Sequence, residues 1–318
     1  MVSVTFDVNN KCTTSFILLF ISTIKLKQDK KINKKYTMTD IRTLEQTATQ
    51  VRRDILRMVH GAKSGHPGGS LGCADFLTAL YFNVLNHDPK FNMNGKNEDV
   101  FFLSNGHISP LFYSVLARSG YFPVEELKTF RKLHSRLQGH PATAEHLPGV
   151  RIASGSLGQG VSVAAGTALA KKLEGDKNLV YVLMGDGELQ EGQNWEAFMF
   201  AAHHKVDNLI VTVDYNGQQI DGSTMEVLGL GGDIKDKLMA FGWEILHMDG
   251  HNMQNIIETM AKAKNAAGNG KPIFIIMKTE MGYPIDFMVG SHKWHGIAPS
   301  DNDLENALAQ LPTTLADY

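Results

Sequence analysis

The sequence predicts an α/β fold, a mostly parallel sheet flanked by helices on both faces. Three observations lead there. Short apolar runs (Val100–Leu103, Leu179–Met184, Leu209–Val213, Trp243–Met248 and Ile273–Lys278) read as buried strands. Segments with apolar residues at three- and four-residue steps, the spacing of helices, lie between them. Glycine turns follow the strands, and the stretch Leu179 to Asn216 reads as strand, glycine turn, helix, strand, turn. A right-handed crossover of this kind sets two parallel strands side by side with their C-terminal ends at one sheet edge. Asp186 and Asn216 would then be neighbours just past adjacent strand ends.

With 318 residues, 43% hydrophobic and 20% charged, the chain has the composition of an ordinary globular protein with an ample core. A formal net charge of −2 makes no electrostatic case for nucleic acid or an anionic membrane surface as partner. Cys12 and Cys73 are the only cysteines and form no C-x-x-C, which argues against a disulfide framework or a thiolate zinc site. A reducing, cytoplasmic setting is expected.

Residues 1–37 differ from the rest. Phe16–Ile21 is apolar but too short to span a bilayer, lysines follow it, and no A-x-A-like cleavage site appears. This stretch is expected to be a disordered extension or a mis-assigned start, and residues 38–318 a single domain. Ile41, Leu44, Ala48, Val51, Ile55 and Val59 mark an amphipathic helix with Asp40 as N-cap. Ser64–Ser70, with proline and three glycines, is expected as a loop, and a second helix runs from about Ala74 to Leu85. After the strand Val100–Leu103 come Ser104-Asn105-Gly106-His107 and a helical stretch from Pro110 to about Leu133, broken near Pro123. The segment 154–160 opens a helix of small residues, whose N-terminal N–H groups are expected to face an anion. Trp195, Phe198, Met199 and Ala202 have core spacing on the helix after Gly192. A further helix spans about Asn252 to Ala267.

A lone Gly-Asp-Gly is common turn chemistry. Paired with Asn216 past the next strand, Asp186 becomes a candidate cation ligand. The Asn216 amide and the Gln218 carbonyl would add oxygens, and phosphate oxygens and water would complete the shell. Such a donor set suits Mg²⁺ or Ca²⁺, with Mn²⁺ as a substitute, rather than zinc. His66, His107, His140 and His295 each stand in a Gly- or Pro-rich loop. One such histidine is ordinarily a surface or capping residue; four, with a diphosphate site, suggest a shared pocket where protons move near neutral pH. Glu191 is explained equally well by the favourable field at a helix N-terminus.

The motifs S-G-H-P-G-G-S-L-G (64–72), L-S-N-G-H (103–107), Q-G-H-P (138–141), S-G-S-L-G-Q-G (154–160), G-D-G-E-L-Q-E-G (185–192), D-Y-N-G-Q-Q-I-D-G (214–222) and W-H-G (294–296) occur in order. Together, from about Asp40 to Pro299, they resemble the N-terminal, diphosphate-binding portion of transketolase, a thiamine-diphosphate enzyme family. The resemblance implies the thiamine-diphosphate-binding fold, with Mg²⁺ held by Asp186, Asn216 and the Gln218 carbonyl. It implies cofactor contacts from His107, Gly155, Leu157, Gly187, Asn216 and His295, and more remotely Met281. His66, His140 and His295 would handle protons and hydroxyls of the sugar. Glu191 and Glu196 correspond to glutamates at the family's subunit interface, with Glu191 close to the catalytic machinery. Ser156 and Ala142 depart from the family's pattern, which bears on substrate fit rather than on the metal. The family's pyrimidine-binding and C-terminal domains would follow the W-H-G loop, and this sequence stops soon after it. The pattern is therefore similar to the N-terminal subunit of a split transketolase working with a separate C-terminal subunit, in an α2β2 heterotetramer. Such an enzyme moves a two-carbon glycolaldehyde unit from a ketose phosphate to an aldose phosphate, the cofactor acting as electron sink. Two other expectations stay open: a related thiamine-diphosphate enzyme acting on another sugar phosphate, and a non-catalytic binding or regulatory subunit.

Overall fold

Along a strand, successive side chains point to opposite faces, and here both faces are apolar. The computed structural model describes residues 40–318, which form one compact unit; the extension expected at residues 1–37 lies outside the described residues. Helix α1 (Ile41–Ala62) begins where predicted, the Asp40 carboxylate accepting from the Thr43 N–H at 3.0 Å. Helix α2 (Pro67–Gly72) occupies part of the expected loop Ser64–Ser70. Proline at the first helical position costs no hydrogen bond and presets φ for the turn. A Cβ on Gly68 would lie 2.5 Å from Met281 Cγ and 2.8 Å from the Trp294 carbonyl, so the glycine serves close packing rather than an open loop.

Helix α3 (Ala74–Ala79) continues as a wide turn through Val84, and strand β1 (Val100–Leu103) follows. Helix α4 (Ser109–Arg118) is followed by the break expected near Pro123, and beyond it 124–129 forms only a tight 3₁₀ segment, so the helical stretch expected to about Leu133 stops short. Next come α5 (Gln159–Leu173), β2 (Val180–Gly185), α6 (Gly192–His203) and β3 (Leu209–Tyr215). A small antiparallel hairpin pairs β4 (Gln218–Gln219) with β5 (Gly222–Ser223) and leads into α7 (Thr224–Leu228). Helix α8 (Ile234–Phe241), β6 (Glu244–Asp249), α9 (Met253–Ala266), β7 (Ile273–Lys278) and α10 (Asp301–Ala309) complete the chain.

The main sheet has the order β1-β2-β3-β7-β6, with every neighbouring pair parallel. Phe101, Leu103, Tyr181, Leu183, Ile210 and Ile275 face a core shared with α1, α3, α4 and α9. Val100, Phe102, Val182, Val211, Val213 and Phe274 face the opposite one, under α5, α6 and α8. On α6 the inward stripe is Asn194, Ala197, Phe198 and Ala201. Trp195 and Ala202 flank it. Met199 does not belong to the core as expected: at ~100° per residue it is turned away from Phe198, and it is 49% exposed beside Phe200 at 42%.

Candidate active site

Parallel strands end together, so the residues just past β1, β2, β3 and β7 meet at one edge. There a cavity of 370 Å³ is lined by His66, His107, Gly155, Leu157, Asp186, Gly187, Glu191, Asn216, Gln218, Met281 and His295. That volume is within the range of small-molecule sites. All the site residues expected from the sequence are in this lining except His140 and Glu196. His140 stands at the rim, its ring 6.1 Å from that of His66. Glu196 is exposed on α6, away from the cavity.

The register explains the pairing of Asp186 with Asn216. Gly185 is directly opposite Asp214, and the Asp186 N–H donates to the Asp214 carbonyl at 3.2 Å. The Asp186 carboxylate accepts from the Gly187 N–H at 2.8 Å and from the Gly217 N–H at 2.5 Å, which locks its orientation. Burial, then the neighbouring Asp214 carboxylate, pushes Asp186 up to about 7. A carboxylate so placed gains from a nearby cation. Among the described residues no three His, Cys, Asp or Glu side chains converge as a self-sufficient metal centre. The donor set fits a hard cation all the same: one carboxylate, one amide oxygen and one backbone carbonyl form part of a shell that a diphosphate would share.

Three imidazoles close the other side. The ring of His66 lies 5.2 Å from that of His107 and 5.5 Å from that of His295, and His107 and His295 are 5.0 Å apart. Burial, then the positive charge that His295, Arg131 and His140 would carry, brings His66 down to about 4. Burial and the other histidines hold His107 well below the ordinary imidazole value, and His140 and His295 are lowered mainly by burial. The cluster is therefore neutral at pH 7, each ring offering one donor and one acceptor. Nδ1 of His66, Nδ1 of His295 and Oδ1 of Asn105 are buried without a hydrogen-bond partner. Orphaned polar atoms on the wall of a cavity are what a polar ligand would satisfy.

One expectation needs correction. The N-terminus of α5 does not present its glycine N–H groups to the cavity, because two of them are already taken. The Gly158 N–H donates to Glu188 at 2.7 Å and the Gly160 N–H to the Ser104 hydroxyl at 3.2 Å. Glu188, buried in the 3₁₀ turn after β2, also accepts from Ser104 Oγ and from the Gly185 N–H at 3.1 Å. The anion at this helix end is an internal carboxylate that ties together β1, β2 and the glycine loop. Gly155, at φ 121°, passes His140 so closely that a Cβ would stand 2.5 Å from the imidazole, which fixes the loop at the rim.

Sequence reasoning missed Glu188, Asp214, Asn105 and Gln190. Each stands inside a recognised motif and on the cavity wall, but a motif's letters do not say which way a side chain points. Gln190 donates to Gln219 at 2.8 Å and to the Leu228 carbonyl at 3.0 Å, holding the hairpin and α7 against the Gly-Asp-Gly turn.

Comparison with known proteins agrees with this geometry. The profile described as "Transketolase, thiamine diphosphate binding domain" matches residues 44–314. An apulose-4-phosphate transketolase subunit from Actinobacillus succinogenes is 39% identical over 269 residues, which cover 84% of this chain and 95% of that protein. The 6-deoxy-6-sulfo-D-fructose transketolase subunit SqwG of a Clostridium species is 38% identical, over 84% of this chain and 96% of that one. Among solved structures, transketolase from Campylobacter jejuni matches with a TM-score of 0.79 at 38% identity, over 86% of this chain but 43% of that one. The chain thus spans under half the length of that transketolase and nearly all of the two subunits.

Proposed function

The chain belongs to the transketolase family, to its thiamine-diphosphate-binding portion, and from that premise we propose that it is one subunit of a split transketolase. Residues 38–318 would form the diphosphate-binding domain, and a separate chain would bring the pyrimidine-binding and C-terminal domains. The observation that carries the reading is the convergence of Asp186, Asn216, Gln218 and three neutral imidazoles on one cavity at the carboxyl edge of the sheet. Two relatives of matching length that bear the names of transketolase subunits support it.

In this proposal Asp186, the Asn216 amide and the Gln218 carbonyl hold Mg²⁺, for which Ca²⁺ or Mn²⁺ can substitute. Gly155, Leu157, Gly187 and His107 cradle the cofactor, with Met281 alongside. When bound, thiamine diphosphate supplies the electron sink for two-carbon transfer. His66, His140 and His295, uncharged at pH 7, orient sugar hydroxyls and exchange protons with them. Glu191, at the cavity's edge, and Glu196, exposed on α6, face the partner subunit in an α2β2 assembly. A cytoplasmic setting belongs to the same proposal, supported by the free, buried Cys73 thiol. Among the described residues no helix is long and apolar enough to cross a membrane.

For the sugar, the relatives favour the second of the enzymatic expectations, a subunit devoted to a specialised substrate, over general ketose-phosphate exchange. The two subunits are named for two different sugars, apulose 4-phosphate and 6-deoxy-6-sulfo-D-fructose. The test is reconstitution with a pyrimidine-domain partner, followed by ketol-transfer assays on a panel of phosphorylated and sulfonated ketoses. Transfer that requires both chains, Mg²⁺ and thiamine diphosphate is the expected result. Full activity from this chain alone would refute the split reading, and cofactor binding without any transfer would favour a regulatory subunit.

A further inference from the structure

Asp214 is the second-last residue of strand β3, two before Asn216; it is 2% exposed and stands on the cavity wall, where its charge helps to raise Asp186. Its carboxylate gathers donors from three elements. Thr279, just past β7, donates its hydroxyl to one oxygen. The Asn216 amide nitrogen donates to the other at 2.8 Å. The thiol of Cys73, between α2 and α3, also donates to this carboxylate. The free end of the amide is then committed: Asn216 Oδ1 accepts from the Gln218 N–H at 2.8 Å. Beside it the Gly217 N–H holds the Asp186 carboxylate at 2.5 Å. Two side-chain oxygens from adjacent strands therefore converge on the single turn 217–218.

We propose that Asp214 is a positioning residue that sets the orientation of the Asn216 amide, so that its oxygen rather than its NH₂ group faces the cation. The inference rests on the functional reading above and deepens it. The physical reason is an asymmetry between the two side chains. A carboxylate only accepts, whereas an amide donates through nitrogen alone, so pairing with Asp214 selects one of the two amide orientations. Rotated by half a turn, the amide would offer hydrogens to a cation. Outer partners of metal ligands typically act in this way, and their loss costs about 10- to 100-fold in metal affinity.

The experiment uses the full chain reconstituted with its pyrimidine-domain partner, with saturating thiamine diphosphate and Mn²⁺ as a paramagnetic probe, its affinity read by water-proton relaxation. Asp214→Asn is expected to weaken Mn²⁺ by about tenfold or more. Asn216→Asp is expected to weaken it too, despite the added negative charge, because two carboxylates repel and neither can donate. The reciprocal exchange, Asp214→Asn with Asn216→Asp, restores most of the loss, since donor and acceptor have only traded places. Cys73→Ala, which removes a donor to the same carboxylate but leaves the amide link, stays close to the parent affinity. Unchanged affinity in Asp214→Asn overturns the proposal. So does a Cys73→Ala loss as large as that of Asp214→Asn, or an exchange variant that misfolds or binds no better than the weaker single variant. A parent chain that, reconstituted with its pyrimidine-domain partner, takes up no Mn²⁺ with thiamine diphosphate overturns the functional reading, and this inference with it.

Discussion

Glu188→Ala measures how much the buried carboxylate contributes to holding the site's loops. Its removal leaves three donors without their acceptor: the Ser104 hydroxyl and the N–H groups of Gly158 and Gly185. The hydroxyl can turn to another acceptor, but the two backbone groups are fixed. Each buried, unsatisfied donor costs about 1–3 kcal/mol, which puts the two between about 2 and 6 kcal/mol. Part of that is offset, because burial already raises the Glu188 carboxyl above the usual glutamate value and its charge is held at a cost. A net loss of about 3 kcal/mol is expected, corresponding to a fall in Tm of about 5 °C for a domain of this size. Differential scanning calorimetry measures it. Hydrogen exchange across 155–160 should accelerate in parallel, because Gly158 and Gly160 lose direct or relayed support from the same carboxylate. Glu188→Gln should fall between parent and alanine variant, since one amide oxygen can serve Ser104 and Gly158 while its NH₂ meets the Gly185 N–H. A Tm drop in Glu188→Ala below about 2 °C, with unchanged exchange in the loop, would refute the reasoning.

Two further predictions concern the cavity itself. Asp186→Ala should lose Mg²⁺-dependent thiamine diphosphate binding in titration calorimetry, and unchanged affinity would count heavily against the cation site. His66 is lowered to about 4 by burial first and by neighbouring positive charge second, from an unfolded value of 6.5. A base depressed in the folded state contributes stability that is complete above 6.5 and is lost as pH falls toward 4, because the unfolded chain binds the proton more readily. Tm measured from pH 7 down to 4 should therefore fall, and the fall should be shallower in His66→Asn; identical slopes would refute the assignment.

The strands and most helices could be read from the residues because their burial is periodic. Val100–Leu103 and Ile273–Lys278 have the bounds expected, and α9 and α1 differ from expectation by little. The failures have local causes. The Pro67–Gly72 segment looked like a loop because proline and glycine dominate it, yet proline suits a helix start and the glycines let Met281 and Trp294 approach. Met199 had core spacing, but which stripe of α6 turns inward depends on what α5 and α8 place against it. The glycine loop before α5 carried the usual signature of an anion site. Glu188, about thirty residues downstream, fills that role from inside the protein.

What the sequence by itself determined was the set of parts: parallel strands, glycine turns at their ends, Asp186 and Asn216 one crossover apart, and histidines in loops. Periodicity and turn chemistry are local properties, and they survive without knowledge of neighbours. Only the tertiary structure decided which polar groups are consumed inside the protein and which remain for a ligand. Asp214 and Glu188 are acidic residues inside the same motifs, and nothing in the linear order separates them from Asp186 and Glu191. Hydrogen-bond partners do. On one cavity wall, Asp214 is held by Thr279 and Asn216 and Glu188 by Ser104, Gly158 and Gly185, whereas Asp186 is held only by the N–H groups of Gly187 and Gly217, and His66, His295 and Asn105 keep unpaired atoms.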